Sequence, residues 1–103
     1  AGVDLKRIKR EIGGRVALCG NVNCALMQTG PIEAIRADSV RALRDGMPGG
    51  GFFYCSSNTP FAEMPIENYL AILDVRAEFG RYPIEPDRWA RAGVKYPEQG
   101  DVN

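Results

Sequence analysis

The stretch Gly14-Arg15-Val16-Ala17-Leu18-Cys19-Gly20-Asn21, residues 14–21, decides the fold class. Arg15 to Cys19 is short, apolar and almost uninterrupted, with glycine before it and Gly20 and Asn21 to end it. Alternation with polar residues is what one solvated face would produce, so an unbroken run of this length predicts a parallel strand covered on both faces. Phe52 to Ser56 repeats the pattern after a break made by Gly46, Pro48, Gly49, Gly50 and Gly51.

Working outward, the segments around these strands have helical spacing. Asp4 caps a first helix in which Leu5, Ile8 and Ile12 recur on one face, and Gly13 and Gly14 stop it. Pro31 suits the first position of a second helix, with Gly30 as its cap and Glu33 near the positive end of the dipole. Ile32, Ile35, Ala42 and Leu43 form its buried stripe, and Arg36, Asp38, Arg41 and Arg44 a solvated face. A third helix starts at Pro65, carries Glu67 in its first turn, runs through Tyr69, Leu70, Ile72, Leu73 and Phe79, and stops at Gly80. Residues 84–103, with Pro86 and Pro97 and one helical turn around Trp89, are expected to form a surface tail.

Strands joined by crossover helices are parallel, which leaves a piece of barrel or a piece of doubly wound sheet. Two strands alone leave unpaired edges and an uncovered face. Both faces of each strand are apolar, and three helices cover one of them. The chain is therefore expected either to associate with copies of itself or to fold beside further strands.

Composition narrows the function classes. The 103 residues carry 13 Lys plus Arg against 13 Asp plus Glu, with no single-sign block, which argues against nucleic acid and anionic membrane as partners. The longest apolar runs are too short to cross a bilayer and the charged N-terminus lacks a signal-peptide core, so a soluble, cytoplasmic protein is expected. Three cysteines, Cys19, Cys24 and Cys55, leave one over in any disulfide scheme and read as reduced. Cys19 and Cys55 each close an apolar run, as small core thiols do. With no histidine in the chain, a metal site is not expected.

Several of these segments resemble the uroporphyrinogen decarboxylase superfamily. Asp4-Leu5-Lys6-Arg7-Ile8-Lys9 through Gly14-Arg15-Val16-Ala17-Leu18-Cys19-Gly20-Asn21-Val22 is similar to that family's helix and strand ending in Gly-Asn. Gly50-Gly51-Phe52-Phe53, Ser56-Ser57-Asn58, Pro65-Ile66-Glu67-Asn68 and Glu78-Phe79-Gly80-Arg81-Tyr82-Pro83 resemble its last barrel strand, its Pro-x-Glu-Asn helix start and its Tyr-Gly-x-Tyr-like ending. The resemblance implies an α/β fold, the C-terminal fragment of a (β/α)8 TIM-type barrel with two parallel strands and three main helices over residues 1–83. The family chemistry it implies is cofactor-free decarboxylation of tetrapyrrole acetate side chains. The aspartate and arginines that the family uses belong to segments upstream of this chain, so no residue here is expected to be catalytic and the chain alone is expected to be inactive.

Active sites of such barrels lie at the C-terminal ends of the strands. Asn21 and Asn58 are therefore the expected substrate-binding residues, each with a bland alternative as a loop-capping amide. Asn58 stands where the family's decarboxylase places a histidine and where its cobamide-dependent, zinc-using methyltransferases place a cysteine, and asparagine is a poor zinc ligand. A fragment of such a methyltransferase and a non-catalytic self-associating module remain as the alternatives. Expected partners are further copies or the remainder of the barrel, with a tetrapyrrole-like or other small-molecule substrate for the whole.

Overall fold

The computed structural model of the chain describes residues 4–56 and 63–92. In order along the chain these form α1 (Leu5–Ile12), β1 (Leu18–Val22), α2 (Cys24–Thr29), α3 (Ile32–Gly46), β2 (Phe52–Ser56), α4 (Ile66–Phe79) and α5 (Arg88–Arg91). The fold is mixed α/β, and the two strands make a parallel pair with Leu18 opposite Phe52 and Val22 opposite Ser56. Among the described residues no helix is long and apolar enough to cross a membrane.

The caps follow side-chain chemistry. Asp4 accepts the N–H groups of Lys6 and Arg7 at 3.1 and 3.4 Å, satisfying donors that the first turn of α1 leaves open. Asn23 accepts those of Ala25 and Leu26 at 2.9 and 3.4 Å and so starts α2, a helix that apolar spacing did not reveal. Six residues are too few to show a 3.6-residue period. Pro31, expected as the first residue of α3 with Gly30 as cap, is itself the cap, so the helix starts one residue later than expected, at Ile32.

β1 starts at Leu18 and continues through Gly20 and Asn21, so it lies three residues further along than the apolar run Arg15 to Cys19 suggested. Its start is set by pairing: the Leu18 N–H donates to the Gly51 carbonyl at 2.8 Å, where the turn out of α3 ends. Gly49, Gly50 and Gly51 form that turn with φ of 82°, 74° and 65°, a left-handed run that residues with a Cβ avoid. Gly46 is required for another reason, since a Cβ there would lie 2.5 Å from the Phe52 ring. The last turn of α3 thus rests directly on β2.

α3 is the centre of the molecule, with α1 and α4 on its flanks and the sheet beneath it. One core joins Val22, Met27, Ile35, Ala42, Ala71 and Ile72; the second joins Val40, Leu43, Met47, Val75 and Phe79. From Ala37 to Leu43 every residue of α3 is buried. Arg41 and Asp38 therefore do not belong to a solvated face, as their spacing had suggested, because neighbours enclose the helix on three sides.

α4 is apolar on two sides. Ala71, Ile72, Val75 and Phe79 pack against α3, while Ile66, Tyr69, Leu70 and Leu73, expected in part as core, lie exposed on the other side. The sheet is one-sided as well: helices cover the face bearing Val22 and Tyr54, and Phe53 on the other face is 64% exposed.

Residues 81–92 dock onto the end of this core through Arg88, which is 4% exposed. Its guanidinium donates to the carbonyls of Phe79 at 2.9 Å, Pro83 at 2.8 Å and Arg81, and pairs with Glu85 at 2.5 Å. Ile84 and Trp89 pack beside Phe79. The Arg88 guanidinium, helped by the backbone, holds the Glu85 carboxyl at about 2, below its ordinary 4.5. A carboxyl lowered on folding stabilises above its unfolded value, and the contribution is lost as pH falls through the folded one. Fluorescence of Trp89, the single tryptophan, is expected to report loosening of this docked segment between pH 4.5 and 2. Glu85→Gln is expected to remove that pH dependence; an unchanged acid transition in the variant would assign it to another group.

Candidate functional site

Asn21 lies in β1 near its C-terminal end. Its position is fixed from below by α3. Arg41 donates through Nη1 to Asn21 Oδ1 at 2.9 Å and through Nη2 to the Asn21 carbonyl at 3.0 Å. The third edge of the guanidinium, Nε, meets Asp38 Oδ1 at 3.0 Å, and Asp45 Oδ2 lies 3.8 Å from Nη1. The other Asp38 oxygen accepts the N–H of Asn23 at 2.7 Å. One buried cation thus ties the end of β1 and the start of α2 to α3.

The planar fork of arginine suits this task because its donors reach three acceptors without rotation of the head group. Arg41 is 1% exposed, and its charge is balanced by Asp38 and Asp45, with Arg44 pairing with Asp45 at 3.0 Å. Four charges sum to zero, as burial demands. Since Arg41 donates to Oδ1, the amide orientation of Asn21 follows: its NH2 group is the half that the guanidinium does not engage. Asp38 and Asp45 are both engaged in these ion pairs.

Tyr54 is a further polar group beneath the sheet. Its hydroxyl donates to the Ile72 carbonyl at 2.9 Å, and burial, the largest cause, pushes it up to about 12. It stays a neutral donor throughout the physiological range. Asn68 spans from α4 to α2, donating to the Met27 carbonyl at 2.6 Å, so its role is to join elements. Among the described residues no group of three His, Cys, Asp or Glu side chains is placed to hold a metal ion.

The cysteines depart from expectation. Cys19 and Cys55 are exposed, not core residues, and Cys24 is half-buried beside the first core; none is bridged. The expectation assumed that both faces of each strand are covered, and here only one is. Asn58, the second expected binding residue, lies outside the described residues. Sequence spacing missed the Asp38, Arg41 and Asp45 network. The signal was an alternation of charge sign at i, i+3 and i+7, which places all three on one helix face.

No protein-family model, curated protein or solved structure matches this chain.

Proposed function

We propose that the chain is a wall segment of a uroporphyrinogen-decarboxylase-like (β/α) barrel, contributing Asn21 to one side of the mouth and no catalytic group. The observation that carries this is the one-sided parallel sheet, helices on one face and an open apolar face with Phe53 64% exposed on the other. Barrel strands have this arrangement, since their inner face is packed by side chains from strands elsewhere in the ring. The tetrapyrrole-like substrate follows from the family resemblance, and the amide NH2 of Asn21 suits the carboxylate groups such a substrate carries. The intact mass of the natural product, recovered from its source with an antibody to this sequence, tests the proposal. A polypeptide of about 250 residues or more is expected; a product of 103 residues would overturn it.

The exposed stripe Ile66, Tyr69, Leu70 and Leu73 favours a second reading, a module that buries its apolar surface against another copy.

A further inference from the structure

Two thiols share the open face of the sheet. The register sets Cys19 opposite Phe53 and Asn21 opposite Cys55, so Cys55 is the diagonal neighbour of Cys19 across the strand pair. Cys19, Phe53 and Cys55 are all exposed, while Phe52 and Tyr54, which alternate with the last two, pack towards the helices. Strand alternation therefore places both sulfurs and the Phe53 ring on one side.

We propose that Cys19 and Cys55 form a dithiol site for a soft, thiophilic centre, such as trivalent arsenic or a d10 cation, held between the two sulfurs. This goes beyond the barrel proposal and is a property of the isolated chain, in which this face of the sheet is open. With strands about 4.8 Å apart and a rise of about 3.3 Å per residue, diagonal neighbours two residues out of register in a parallel pair have Cα atoms roughly 8 Å apart, beyond the range in which a direct disulfide closes without backbone movement. A bridging atom extends the reach, replacing one S–S bond of about 2.05 Å by two sulfur bonds of about 2.3 Å each. Burial and the neighbouring Cys19 charge push the Cys55 thiol up, in keeping with two sulfurs close enough to sense one another. Phe53 supplies an apolar shelf beside the bridge.

The reaction with phenylarsine oxide balances without an oxidant. Two As–S bonds form, the As–O bond breaks, and the two thiol protons leave with the oxygen as water. Because the second bond forms within the chain, the dithiol adduct is expected to outlast a monothiol adduct about 100-fold or more in competition with added monothiol. Native mass spectrometry of the 103-residue chain is expected to show one arsenical per chain. Cys19→Ser and Cys55→Ser are each expected to lose the persistent adduct, and Cys24→Ser to keep it, with circular dichroism confirming that each variant is folded. Absence of a persistent adduct on the parent chain, or its survival in either Cys19→Ser or Cys55→Ser, overturns the site.

Discussion

Replacement of Arg41 by methionine is expected to destabilise the fold by about 3–5 kcal/mol, the usual loss when one partner of a buried ion pair is removed. The cost arises from what remains. Asp38 is 4% exposed and, among the described residues, would be left with the Asn23 N–H to meet it, while Asn21 would lose both bonds from the guanidinium. Domains of this size have about 5–15 kcal/mol of stability in total, so the variant stands near the edge of folding. Urea denaturation followed by circular dichroism measures the change. The double variant Arg41→Met with Asp38→Leu is expected to regain much of the loss, because an apolar pair leaves no orphaned charge. A single variant within about 1 kcal/mol of the parent would show that the guanidinium is not what fixes the end of β1.

The isolated chain is expected to self-associate. Phe53 is 64%, Ile66 69%, Leu70 47% and Leu73 45% exposed, and large apolar side chains exposed together drive association. A groove of about 360 Å³ lined by Phe52, Phe53, Tyr54, Leu73, Arg76 and Tyr82 connects the open sheet face with the outer stripe of α4. The outer edge of β2 has no strand paired to it among the described residues, which adds unmet backbone groups to the same region. Light scattering across a dilution series is expected to show dissociation. Phe53→Asp is expected to weaken association about 30-fold or more, the equivalent of a central aromatic contact worth about 2 kcal/mol. A stable monomer at micromolar concentration would show that this surface is covered within the chain.

The helix and strand alternation was legible because period and punctuation agree along most of the chain. Asp4 caps α1, the glycines around residue 50 end the turn into β2, and Phe52 to Ser56 has the same limits in sequence and structure. What was not legible depends on neighbours. Arg41 and Asp38 have the composition of a solvated face, and only the placement of α3 between α1, α4 and the sheet buries them. Cys19 and Cys55 were misassigned for the opposite reason, since an apolar strand specifies that it can be covered on two faces but not what does the covering. The outer residues of α4 follow the same logic. Asn21 was legible as lying near the C-terminal end of a strand, although the strand continues through it to Val22, whereas the cation that orients its amide lies twenty residues later on a helix.

The contact of Gly46 with the Phe52 ring limits how this sequence can drift. α3 behaves as a beam seated at two points, Gly46 on the ring and Arg41 on Asn21, separated by little more than one helical turn. Any side chain at position 46 would act as a shim that lifts one seat and tilts the beam at the other, so a change made for packing at the foot of β2 would be felt as a misplaced amide at its neighbour's far end. Substitutions in β2 that shrink the ring at position 52 are then the background in which a larger residue at 46 becomes tolerable, and the two positions are expected to vary together or not at all.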